Sequence, residues 1–167
     1  MTHGRKPRRP RPISHNPVRH AIMNAARFTA AEVSDLMAPM HAMAKAFREG
    51  VAAEDTYFAL RTGFVISLAI EDSGVIRGLR EHFVTAIKAL DTVAERARGA
   101  GAWKPSALYF HELDALSDAV WLHEEQLRVV SAGELHAIVR RVAGQAAAAG
   151  QSVTYTPAAP APASFPV

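Results

Sequence analysis

Two tetrapeptides constrain this chain more than anything else in it. Thr29-Ala30-Ala31-Glu32 and Ser131-Ala132-Gly133-Glu134 each place a hydroxyl three residues before a glutamate. In that arrangement the hydroxyl accepts from a free amide of the first helical turn while the carboxylate reaches back to the cap amide. Each box has an apolar residue before the cap and another just inside the helix, Phe28 with Val33 and Val130 with Leu135, the pairing of a hydrophobic staple. Helices therefore start at both places, and nothing between them reads as a strand bounded by hairpin turns.

Apolar residues at helical spacing fill out the rest. Asn16-Pro17 opens a short helix to about Arg27, with Pro at the first helical position and Val18, Ile22 and Ala25 on one face. After the first box come Val33, Leu36, Met37, Met40, Met43 and Phe47, ended by Arg48 and Gly50. Pro39 sits inside this run, and its ring opposes the carbonyl of Asp35, which predicts a kink or break near residues 35–38. Residues 53–72 carry apolar side chains on more than one side and should form the most buried helix. A helix from Ser73 to Arg98 follows after a tight Ser73-Gly74 connection, which makes the two an antiparallel hairpin. Another helix runs from Pro105-Ser106 to about Val130, with Trp103 in the loop before it. The helix after the second box fades in the alanine-rich segment ending at Gly150. The expected fold is all-α: an antiparallel bundle of about four long helices with short ones attached, spanning residues 16–149.

The ends differ from this body. Arg5, Lys6, Arg8, Arg9 and Arg11 alternate with prolines, and no acid appears before Glu32. The first 31 residues hold seven of the 19 cations, and all 16 acids fall in the rest. Residues 1–15 thus read as a flexible, extended basic arm on a mildly acidic body, and residues 150–167 as a disordered Pro/Ala-rich tail. The absence of cysteine excludes disulfides, a thiolate nucleophile and cysteine metal sites, and suits a reducing cytoplasm. The best apolar run, residues 64–70, is far below the roughly 20 residues of a spanning helix. No membrane partner and no secretory signal are expected.

No catalytic constellation stands out, and neither an enzyme, a cofactor nor a small-molecule substrate is expected. There is no Gly-x-Ser-x-Gly elbow and no phosphate-cradling glycine loop. His111, Asp114 and Asp118 share a stripe, but His111-Glu112 lacks the second histidine a zinc helix needs and no Glu-x-x-His pair exists, so a solvated polar face is the reading and no metal is expected. His123 lies on an apolar stripe, where a lone histidine is usually a hydrogen-bonded core residue.

Two surfaces remain as candidates for partners. The arm cations Arg5, Lys6, Arg8, Arg9 and Arg11, with Arg19, can displace counterions from a phosphate backbone, or equally meet an acidic protein. Met37, Met40, Met43 and Trp121 form the candidate protein interface, since Met-rich helices make adaptable contacts, although methionine at helical spacing is more often core. The apolar breadth of the helices suits a homo-oligomer.

The stretches RKPRRPRPISHNPVRHAI, EGVAAED and LHEEQLRVVSAGEL together resemble a group of small uncharacterised proteins of beta-proteobacterial prophages and other mobile elements, over about residues 5–145. The resemblance implies a bacterial cytoplasm and mobile-element biology, and it assigns no residue a role. On these grounds the expected function is a non-enzymatic accessory protein that binds nucleic acid non-specifically through its arm. The alternative is a stoichiometric protein-binding factor, an inhibitor of a host defence complex or a phage assembly or scaffold component, acting through its helix faces.

Overall fold

The computed structural model describes residues 17–99 and 101–150. The basic arm and the Pro/Ala tail lie outside the described residues. Six helices follow in order: α1 Pro17–Ala25, α2 Ala30–Arg48, α3 Glu54–Asp72, α4 Arg80–Arg98, α5 Phe110–Val129 and α6 Ala132–Ala148. No strand forms among the described residues. An isolated bridge between extended residues joins Arg27 to Ser131.

Helices α2 to α5 close into an antiparallel four-helix bundle in which α2 neighbours α3, α3 neighbours α4, α4 neighbours α5, and α5 returns to α2. Its core joins Met37, Met40 and Phe47 to Leu60, Phe64, Phe83, Leu90, Leu116, Val120 and Leu127. Helix α3 is the central element, because it also packs against α6 on its outer side. There Ile66 and Ile70 meet Ile138 and Val142 in a separate apolar seam. Only Asp55, Phe58 and Asp72 of α3 are exposed, which accounts for an apolar sequence on more than one side of that helix.

Both capping boxes form. Thr29 donates its amide to Glu32 Oε2 at 2.7 Å and accepts from the Glu32 amide at 3.3 Å. Ser131 and Glu134 do the same at 2.9 and 3.2 Å. Phe28 packs against the core and Val130 is fully buried, so both staples are anchored in tertiary structure as well as locally.

Three boundaries differ from the sequence expectation, each for a local reason. Helix α2 runs through Pro39 without a break. Asp35 and Pro39 are both exposed, so water can serve the carbonyl that the proline leaves without a donor. Helix α4 starts at Arg80 rather than Ser73. Gly74 and Gly78 both take left-handed φ values, 82° and 90°, and the Gly78 amide donates to Glu71 Oε1, which holds residues 73–79 as a loop. Helix α5 starts at Phe110 rather than Pro105. Residues 101–109 instead cross the end of the bundle, held by Lys104 N donating to the Ala97 carbonyl at 2.8 Å and Trp103 Nε1 donating to the Ala52 carbonyl at 2.9 Å.

Helix α1 stands outside the bundle and, among the described helices, packs on α6. The Ala132 amide donates to the Ala26 carbonyl, and Gly133 lets the α1 backbone come close at Asn24.

Candidate partner-binding groove

Helices α2 and α5, the two elements from which protein contacts were expected, pack antiparallel side by side, but the α2 face beside α5's Trp121 is not the methionine stripe. Between them runs an open groove of about 280 Å³. Its floor is apolar, made by Ala44, Leu113, Leu116 and Val120. One wall carries His41, Lys45 and Arg48 of α2, and the other carries Ser117, Trp121 and Glu124 of α5. The spacing 41, 45, 48 follows successive helical turns, which is why these three side chains line one edge.

The groove is electrically uneven along its length. At one end Glu124 faces His41 Nε2 at 3.6 Å and accepts from Arg128 at 2.6 Å, so its carboxylate is already engaged. At the other end Arg48 makes no ion pair among the described residues, and Lys45 reaches only Glu49, at 3.7 Å on the exposed side of its own helix. Trp121 is 61% exposed, an unusual placement for an indole on a bundle helix.

Of the candidate interface residues, only Trp121 is available. Met37 and Met40 are 1% and 5% exposed and belong to the core, and Met43 is half-buried against it. The expectation that these methionines form a binding surface is therefore corrected. Their helical spacing is that of the stripe α2 buries against the bundle, and methionine serves there as a flexible filler: its end methyl lies over Gly63, where any Cβ would come within 2.5 Å of Met40 Cε. Arg5, Lys6, Arg8, Arg9 and Arg11 lie outside the described residues. Arg19 is on α1, and its side chain also lies outside them.

The histidines take the places their contexts favour. His123 is buried on α5 with its Nδ1 2.7 Å from Ser67 Oγ, and Ser67 Oγ stands 3.1 Å from the Gly63 carbonyl. Both contacts are made when the neutral ring donates from Nδ1 to the hydroxyl and the hydroxyl donates to the carbonyl. Burial pushes the His123 pKa down to about 4, partly countered by the Gln126 side chain. Gln126 in turn donates to the Ser67 carbonyl at 3.1 Å. His111 stacks on the Tyr109 ring, while Asp114 and Asp118 are exposed. Among the described residues no group of three or more His, Asp or Glu could hold a metal ion. No helix among them is long and apolar enough to cross a membrane.

Sequence reading missed two polar links that lock α4 to its neighbours. Arg96 donates to both oxygens of the buried Glu112, and Asp91 accepts from Tyr57 Oη at 2.7 Å and Arg61 Nε at 2.8 Å. Their partners are 16, 30 and 34 residues apart, and no local pattern announces them. The groove wall was not singled out in the sequence: Lys45 and Arg48 stand three residues apart on α2, and that they face Trp121 depends on how α2 meets α5. No protein-family model, curated protein or solved structure matches this chain.

Proposed function

We propose that the protein is a non-enzymatic accessory module, in the setting of a phage or mobile element in a bacterial cytoplasm, that associates with nucleic acid through its basic arm. The observation that carries this reading is the division of charge: seven cations and no acid in the first 31 residues, against all 16 acids in the remainder. Closely spaced Arg and Lys release counterions from a phosphate backbone, and intervening prolines keep them from folding back on the acidic helices. A homo-oligomer would multiply weak arms into useful avidity.

The test is binding to a duplex of arbitrary sequence as salt is varied. If Arg5, Lys6, Arg8, Arg9 and Arg11 each displace about one ion, log affinity falls against log salt with a slope of about −4 to −5. Replacing the five by glutamine should remove most of that slope. Binding and salt dependence unchanged by the replacement would overturn the proposal.

A second reading, a protein-binding factor, is supported by one specific observation: the α2/α5 groove has an apolar floor and an exposed tryptophan at its rim. Trp and Arg are the residues most often found dominating protein contacts. A defined host or phage protein that copurifies through nuclease treatment and loses binding on Trp121→Ala would favour it over the first.

A further inference from the structure

The α2/α5 groove combines three things at one place: a line of basic side chains, an exposed indole across from them, and a shallow apolar floor. From this arrangement we infer that the groove is a contact site for single-stranded nucleic acid, in which Trp121 stacks on a base while Lys45 and Arg48 hold the adjoining phosphates. The inference rests on the nucleic-acid reading above and adds to it a preference between single strand and duplex.

A groove that binds single strands needs cations to track the backbone and aromatic faces on which bases can stack. Along α2, His41 to Arg48 extend for about 10 Å at the helical rise, a length that suits a few nucleotides rather than a long track. The volume of about 280 Å³ is smaller than the usual drug-sized pocket and accepts one flat group at a time. The unengaged cation, Arg48, lies at the end away from Glu124, and Glu124 is occupied by Arg128 and His41. A strand would therefore enter along the Lys45–Arg48 edge and place a base against Trp121. A duplex cannot use this site without unpairing, because its bases are stacked inside. The arm and the groove thus divide the work: the arm attracts any polyanion, and the groove selects strands with free bases.

The test uses the full chain and an oligothymidylate of about ten nucleotides, within the usual site size of such grooves, compared with a duplex. Tryptophan fluorescence reports the stack directly, since the chain has two tryptophans and Trp103 is held in a loop by Ala52. The strand should quench wild-type fluorescence, and the quench should vanish in Trp121→Phe. Trp121→Ala should weaken strand binding by about tenfold with duplex binding unchanged. Lys45→Ala with Arg48→Ala should lower the single-strand salt slope by about 1.4. These positions are exposed, and an unaltered circular dichroism melt shows that the variants fold.

The chain with its five arm cations replaced by glutamine separates the two claims. If that variant still shows the Trp121 quench at raised strand concentration, the groove stands whatever becomes of the arm. Strand binding that depends on the arm but leaves Trp121 fluorescence and the groove variants unaffected overturns the groove and spares the arm. A Leu/Glu-rich acidic peptide that quenches Trp121 where oligothymidylate does not would make the groove a protein dock and overturn the inference, as would no quench by either.

Discussion

Arg96 of α4 grips Glu112 of α5 with two hydrogen bonds, at 2.6 and 2.7 Å, and the Glu112 side chain is 2% exposed. The same carboxylate accepts from the Tyr109 amide at 2.8 Å and so caps the first turn of α5, while the guanidinium lies over the Tyr109 ring at 4.4 Å. One buried charge thus closes a helix start, a loop and an interhelical seam. Burial alone would raise the Glu112 pKa, but Arg96 and the Tyr109 amide outweigh it and hold the carboxyl below its usual value.

Arg96→Ala should therefore cost about 3–5 kcal/mol in urea unfolding, because it leaves a desolvated carboxylate without its counter-charge. Arg61→Ala breaks a pair whose members are each more than a third exposed and should cost about 1 kcal/mol or less. Equal losses in the two variants would show that Glu112 is hydrated in the folded protein.

Stability should fall on acidification in two stages. His123 titrates near 4 in the folded chain and near 6.5 unfolded, so the unfolded state takes up a proton first. Its contribution is complete above about pH 6.5 and is lost as pH falls to about 4, amounting to roughly 3 kcal/mol. Glu112, Asp91, Glu32 and Glu134 have lowered pKa values, so their contribution is present above the ordinary carboxylate range and is lost below it. Urea melts between pH 7 and 3 should show both stages, and His123→Leu should flatten the first alone.

Gly133→Ala should detach α1. A Cβ there would lie 2.7 Å from both Cβ and the backbone oxygen of Asn24, and a backbone cannot yield as a flexible side-chain tip does. Because α6 is the one described helix that α1 packs on, the bundle should keep its stability within about 1 kcal/mol, as expected for a site outside the core. Amide exchange across residues 17–25 should rise sharply. Unchanged protection of α1 would show that the α1–α6 approach has room for the added methyl group.

Pro39→Ala should stabilise the chain. Proline in a helix interior costs up to about 3 kcal/mol against alanine, and the residue is exposed on a helix that continues past it. A gain of about 1–2 kcal/mol in urea unfolding is expected. A loss would mean that the proline sets a bend the bundle needs.

The sequence by itself determined the elements that depend on neighbours three or four residues apart: both capping boxes, their staples, the helical stripes and the all-α class. These are short-range, because a cap is completed by its own first turn. The sequence did not show which stripe each helix buries. Met37 and Met40 at helical spacing fitted a core stripe as well as a partner surface, and the packing of α2 against α3 and α5 sent the methionines inward and left the Trp121 indole at a groove edge. Burial is a property of the facing helix as much as of the residue itself. For the same reason Glu112, which stands beside the polar stripe of His111, Asp114 and Asp118 and had no role assigned to it, became a buried anchor once Arg96 came to meet it, and Lys45 and Arg48 came to line a groove.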